Sequence, residues 1–207
     1  MTWQPSLSAE LIHTKMKLLD LLIKNDNYVK ESGGYPNTHG TDKEYLHGHH
    51  YVSSFYEEHF EKYKDLPITL LEIGIQYGGS LLLWKDYFAK ANIIGVDIED
   101  KVNKSIMEQF PQITRHTTNA YSADFANSLP RLDIVIDDGP HTLDSFIQCI
   151  DLYLPKINPG GLLVIEDIPS IGHVSVLKQK IGSLKHLTID TREQYKRFDN
   201  ILFAIFK

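Results

Sequence analysis

The chain has 207 residues, 42% hydrophobic and 23% charged, the make-up of one soluble globular domain with a substantial core. Its net charge of −6 leaves no basic excess to neutralise phosphates, which argues against nonspecific nucleic-acid binding. No apolar run approaches the roughly 18 residues of a membrane span, Met1-Thr2-Trp3-Gln4-Pro5 lacks a signal-peptide pattern, and the lone Cys149 rules out an internal disulfide. A cytoplasmic protein with neither nucleic acid nor membrane as partner is expected.

Residues 7–24 carry helical spacing, with Leu11, Ile12, Lys15, Leu18, Leu19, Leu22 and Ile23 on one stripe. Such a helix packs on a sheet, caps a site or joins two copies into a homo-oligomer; packing is the plainest use. Residues 25–40, with Gly33-Gly34, Pro36 and Gly40, read as a loop. Gly40-Thr41-Asp42-Lys43 follows, then Tyr45, His47, His49, His50, Tyr51 and Tyr56. A histidine cluster suggests zinc, but without cysteines a polar loop entering a helix over 51–63 is the better reading. Tyr51, Tyr56 and Tyr77 either stack on a substrate or pack.

From Thr69 the pattern becomes α/β. Thr69 to Ile75 is a buried strand, Gln76-Tyr77-Gly78-Gly79-Ser80 a glycine-bearing turn, and Leu81 to Ala89 a helix. This is the opening of a nucleotide-binding unit, without the Gly-x-Gly-x-x-Gly of a dinucleotide site. Glu72 aims an acid at the rim, which suits a cationic ligand. The next strand, Asn92–Ile98, brings Asp97 about where such folds hold a ribose diol, helix capping being its alternative. A short helix near 102–109 precedes a third strand over 113–118, and Asn119-Ala120-Tyr121-Ser122 then offers a wall for an adenine pocket.

Ile134-Val135-Ile136 is a strand buried on both faces, running into Asp137-Asp138-Gly139-Pro140-His141. After a helix over 143–154 and a Pro159-Gly160-Gly161 turn, Leu162–Ile165 repeats the ending with Glu166-Asp167. In open α/β sheets ligands sit at the carboxyl ends of strands, so these four acids converge beside an imidazole. Clustered carboxylate oxygens suit a hard divalent cation, and histidine offers a proton acceptor. A helix over 174–181 leads to strands 186–190 and 200–206, too closely spaced for another crossover and expected to form an antiparallel pair. The fold class is therefore α/β, a seven-stranded mixed sheet closed by a terminal hairpin.

Glu72-Ile73-Gly74-Ile75, Gly78-Gly79-Ser80, Asp97 and the hairpin resemble a class I, Rossmann-like S-adenosylmethionine-dependent methyltransferase. Gly40-Thr41-Asp42-Lys43, Ile136-Asp137-Asp138-Gly139-Pro140-His141 and Ile165-Glu166-Asp167 further resemble the metal-dependent sugar O-methyltransferases of macrolide and related antibiotic biosynthesis. That resemblance spans about 38–207 and implies Mg²⁺ on Asp138, Glu166 and Asp167, with His141 as general base. It implies S-adenosylmethionine against Glu72, Gly74, Ser80 and Asp97. Asn119 and Asp137 join this cofactor set, Asp137 having turn capping or a supporting bond as its alternative. The family carries Ser where this chain has Pro140, and Gly-Asp-Gln where Thr118-Asn119-Ala120 aligns. Residues 1–66 are expected to cover cofactor and substrate, and 67–207 to form the catalytic domain.

The acceptor implied is a sugar hydroxyl, which a Lewis acid would acidify and a base deprotonate. A catechol-like phenol is an alternative acceptor, and a non-catalytic cofactor-binding module an alternative class.

Overall fold

A computed structural model describes residues 16–22, 41–44, 49–102 and 104–207. The expected first helix falls mostly outside these residues, with 18–22 helical; the 25–40 loop, Tyr45 and His47 also lie outside. A helical segment, α1, runs as a π-turn over Val52–Tyr56, an α-turn over Glu57–Phe60 and a 3₁₀ turn over Glu61–Tyr63. Then follow β1 (Thr69–Ile73), α2 (Gly79–Tyr87), β2 (Asn92–Asp97), α3 (Lys104–Met107), β3 (Ile113–Thr117), α4 (Ala123–Ser128) and β4 (Leu132–Asp137). The chain continues through α5 (Leu143–Tyr153), β5 (Ile157–Ile165), α6 (Ile171–Ile181), β6 (Lys185–Asp190), α7 (Arg192–Tyr195) and β7 (Ile201–Phe206).

The sheet order is β3-β2-β1-β4-β5-β7-β6, with β7 antiparallel to both neighbours and the other pairings parallel. The mixed seven-stranded sheet and its closing hairpin are thus as expected. Successive residues of the central strands feed opposite cores because side chains alternate along a strand. Leu70, Ile134, Ile136, Leu162 and Val164 pack toward α1, α2 and the 18–22 turn. Leu71, Val135, Leu163 and Ile165 pack toward α4, α5 and α6. On the first face Trp84 meets Tyr56 and Phe60 edge-on at 5.3 and 5.4 Å between ring centroids, the offset geometry aromatic rings prefer. Residues from 18–22 and α1 therefore share one core with the sheet.

Two boundaries differ from the sequence reading. Pro159-Gly160-Gly161 is the irregular opening of β5, not a turn before it: Leu132 already pairs with Ile157, the register shifts before Ile134, and the Gly160 amide bonds Lys207 O at 2.7 Å. Helix α6 starts at Ile171 because the Ser170 hydroxyl accepts the Gly172 amide and caps it. Since β7 is reversed, its first residue abuts the carboxyl end of β5, where the Ile168 amide bonds Ile201 O at 3.0 Å. The 191–200 connection thereby lies on the same rim as the acid-tipped strands.

Candidate active site

Gly74 ends β1 with φ +83°, and a Cβ there would stand 1.8 Å from the Asp138 carbonyl oxygen. Only glycine lets these strand ends meet, with the Gly74 amide on Val96 O and the Asp138 amide on Ile73 O, each 2.9 Å. Beyond this joint lies a cavity of about 600 Å³, of a size that holds a cofactor. Its wall includes Gly74, Ser80, Asp97 and Asn119 on one side and Asp138, His141 and Asp167 on the other. Gln76, His141 and Asp167 line it with φ of 43°, 56° and 54°, left-handed backbone that non-glycine residues adopt at a cost and that concentrates at functional sites.

The Asp97 carboxylate accepts the Gln76 amide at 2.8 Å and the Glu99 amide at 3.1 Å, which fixes it at the mouth of the cavity. Asn119 Oδ1 accepts the Tyr121 amide at 2.9 Å, turning the chain so that Asn119, Ala120 and Tyr121 form wall. Ser122 instead caps α4. Tyr77 also lines the cavity.

Three of the expected contact residues have carboxylates buried behind the wall instead of on it. Glu72, fully buried, accepts from Ser80 Oγ at 2.8 Å and Trp84 Nε1 at 2.9 Å, so it braces α2 without facing the cofactor space. Burial pushes its carboxyl up, with Lys43 and these two donors opposing. Asp137, also fully buried, accepts the Tyr121 hydroxyl at 2.5 Å; burial lifts its pKa to about 6 against that bond. A Cβ on Gly139 would lie 2.1 Å from the same hydroxyl, so the turn needs glycine for this bond to form. Glu166 is held by the Tyr56 hydroxyl at 2.7 Å and by Lys43 Nζ, away from the cavity.

What the structure does bring together are single ligand atoms of Asp138, His141 and Asp167, all within 4.8 Å of one another. His141 Nε2 lies 3.1 Å from Asp138 Oδ1 and 3.9 Å from Asp167 Oδ2. Burial lowers the imidazole pKa, but the Asp138 bond and the charges of Asp167, Asp138 and Asp137 outweigh it and the net shift is upward. An ionised carboxylate only accepts, so in this bond Nε2 carries the hydrogen toward Asp138. Asp167 is itself fixed: its Oδ1 accepts from Tyr51 at 2.9 Å, and its Oδ2 stands 3.1 Å from His49 Nε2. His49 Nδ1 is 2.9 Å from Asn200 Oδ1, linking the hairpin connection to the rim. Tyr51 and Tyr56 therefore pack and brace acids. Of the histidine segment's described residues, His50 pairs with Glu44 at 3.0 Å, and His49 lies with Asp167 and Asp199 in a group whose ligand atoms are within 4.8 Å of one another.

Sequence reasoning missed Lys43 as a member of the acidic rim. Its Nζ is 2.7 Å from Asp138 Oδ2 and 3.3 Å from Glu72 Oε1, and it also meets Glu166 Oε2. Burial would lower its pKa, yet these carboxylates raise it well above the ordinary lysine value, so it stays charged. The available signal was a lysine in a motif beside acids that needed a counter-charge.

The donor set fits a divalent cation: two hard carboxylate oxygens open to a cavity that leaves room for water and substrate oxygens, with an imidazole at the third corner. The open cradle over Gly74 fits a nucleoside cofactor. Among the described residues no helix is long and apolar enough to cross a membrane.

Comparison with known proteins gives the same direction. Residues 71–168 match the family described as "Methyltransferase domain". The 8-demethyl-8-alpha-L-rhamnosyl tetracenomycin-C 2'-O-methyltransferase of Streptomyces olivaceus is 36% identical over 137 residues, which are 63% of this chain and 35% of that protein. From the same organism, 8-demethyl-8-(2-methoxy-alpha-L-rhamnosyl)-tetracenomycin-C 3'-O-methyltransferase is 29% identical over 204 residues, 87% of this chain and 50% of that one. Among solved structures, MycE methyltransferase from the mycinamycin biosynthetic pathway, in complex with Mg and SAH, aligns with TM-score 0.62 and 26% identity over 91% of this chain and 54% of that one. The chain thus spans about a third to a half of the relatives it matches. Residues 71–168 are thus similar to a methyltransferase domain, in an α/β fold like that of methyltransferases, and the relatives matched include O-methyltransferases acting on rhamnosyl tetracenomycins.

Proposed function

We propose that this chain is an S-adenosylmethionine-dependent O-methyltransferase that uses a divalent cation, Mg²⁺ by donor chemistry, to methylate a sugar hydroxyl on a glycosylated small molecule or glycan. The observation that carries the reading is His141 set between the Asp138–Asp167 pair and a cofactor-sized cavity. Support comes from the relatives named above as sugar O-methyltransferases and from the solved relative that holds Mg and SAH.

In this reading Gly74 and Ser80 border the methionine end of the cofactor, Asp97 holds its ribose, and Asn119 with Tyr121 walls the base. Glu72 and Asp137 act from behind, bracing α2 and Tyr121. Asp138 and Asp167 hold the cation, which when bound supplies Lewis acidity and orients the acceptor oxygen. His141 takes the acceptor's proton, its ring turned by Asp138 so that one nitrogen is fixed as donor. Thr41 and Asp42 line the cavity beside them, which supports a covering role for the segment before β1. The lone Cys149, a buried free thiol, supports a reducing cytoplasmic setting.

The test is mass spectrometry of candidate glycosides incubated with the protein and methyl-labelled cofactor, with and without chelator. Label on a sugar oxygen that disappears with chelator and returns with Mg²⁺ is expected. Full transfer in excess chelator would discard the cation, and label on a phenol in preference to a sugar would replace the acceptor class.

A further inference from the structure

Phe198 is 74% exposed, more than any other large apolar side chain among the described residues. It belongs to the 191–200 connection, which is fixed at its ends and in its middle. The Thr191 amide bonds Asn200 O at 3.1 Å, Tyr195 stacks on His50 at 3.6 Å, and Asn200 Oδ1 meets His49 Nδ1 at 2.9 Å. Next to Phe198, Arg197 Nε pairs with Asp199 Oδ1 at 2.9 Å, and Lys196 takes a left-handed φ of 55° that a side chain adopts at a cost. One exposed apolar residue on a surface is ordinary, so position has to decide whether this one has a use. Asp199 has a carboxylate oxygen within 4.8 Å of one on Asp167, a residue of the cavity wall. Consecutive Cα atoms lie about 3.8 Å apart, so Phe198 stands roughly one sugar ring's width from that wall, on its outer side.

We propose that Phe198 is a specificity-determining residue for the acceptor, an apolar platform on which the aglycone of a glycoside lies while its sugar reaches His141. This rests on the sugar-hydroxyl reading above. A sugar held there fills the inner end of the site, so the group that carries it has to leave past the rim. The rim near Phe198 is charged, with Asp167, Lys196, Arg197 and Asp199, and offers an apolar group little. The phenyl ring, with the partly exposed Tyr195 three residues before it, is where apolar surface is removed from water on binding. The transfer itself needs the fixed charges whatever the sugar is attached to. Phe198 therefore bears on which glycoside binds and not on the rate at which a bound one reacts.

Steady-state kinetics on the full chain with matched phenyl and methyl glycosides tests this. The probes are the α-L-rhamnosides, rhamnose being the sugar in the acceptors of both tetracenomycin relatives, and the β-D-glucosides, with methylated product followed by mass spectrometry. Phe198→Ser is expected to raise KM for the phenyl glycoside about five- to tenfold, the scale of losing one buried ring face. Its kcat, and its KM for the methyl glycoside, should stay within about twofold of the unaltered protein. Phe198→Trp should restore the preference for the phenyl glycoside. S-adenosylhomocysteine affinity and the thermal midpoint should not change in either variant. Leu66→Ser, a similar change at a 49% exposed residue before the amino end of β1, should leave the kinetics unaltered. An unchanged phenyl-glycoside KM in Phe198→Ser overturns the proposal, and so does a fall in kcat alone. An equal rise in KM for both glycosides also overturns it, by placing the ring against the sugar. No transfer to any of the glycosides by the unaltered protein, with S-adenosylhomocysteine still bound, removes the sugar reading, and the platform falls with it.

Discussion

On the β1–β2 side of the rim the wall is built from backbone and short side chains, with Asp97 held by two amides and Gly74 admitting the neighbouring strand. On the β4–β5 side the same rim is packed with charge, Asp138, Glu166 and Asp167 each tied to a residue from the segment before β1. The first side leaves space and the second fills it. A cofactor needs a shaped hollow, which local strand–turn–helix geometry supplies. A reacting centre needs fixed charges, and these are fixed only by partners brought from far along the chain.

Breaking the charged side alone should cost most. His141→Ala is expected to lower kcat by roughly 10²–10⁴-fold while S-adenosylhomocysteine binds as before, because the proton is transferred on one side and the cofactor held on the other. Near-normal kcat would place the base elsewhere. Gly74→Ala strikes the joint between the sides, where both φ and the Asp138 carbonyl oppose a side chain. Urea unfolding should show a loss of roughly 2–4 kcal/mol, and cofactor affinity should fall with it. A fully stable variant would mean that the strand ends part freely.

Asp97→Ala should weaken S-adenosylhomocysteine by about 1–3 kcal/mol in calorimetry with little change in turnover at saturating cofactor. Equal affinity would take Asp97 out of the ribose role. The smallest effect concerns pH. Asp137 has a folded-state pKa of about 6 against an ordinary 3.8, so the folded protein binds its proton the more tightly. The stability this adds is complete below about 3.8 and is lost as pH rises through about 6. Asp137→Asn should flatten that part of the stability-versus-pH curve, and an unchanged slope would show that Asp137 does not titrate there.

These differences also explain what the sequence made legible. Strand order, the reversed β7 and the Gly74 turn follow from apolar runs, glycine spacing and connection length, all local signals. Asp97 and Asn119 were placed on the cavity for the same reason. Whether an acid faces the hollow or the core was not legible, since Glu72 and Asp138 both lie near the carboxyl ends of neighbouring parallel strands. Glu72 points into the face filled by Trp84, and Asp138 lies one residue past β4 where the chain turns outward. Lys43 escaped notice because its partners lie 95 and 123 positions away, beyond any periodicity. The early end of the Pro159-Gly160-Gly161 turn reading came from composition that marks a bulged strand opening as readily as a turn.

The reversal of β7 has a consequence for how such a protein diversifies. In a wholly parallel sheet every strand is entered from the rim opposite the ligand, so reshaping an acceptor pocket means altering loops that also grip the cofactor. Here one connection, 191–200, returns to the ligand rim on its own and reaches it through Asn200, which holds His49, and through Tyr195, which stacks on His50 at 3.6 Å. None of its residues borders the cofactor cavity. Outside Asp199 and Asn200, which hold Tyr51 and His49, it is a stretch that can be exchanged by design without altering the lining of that cavity.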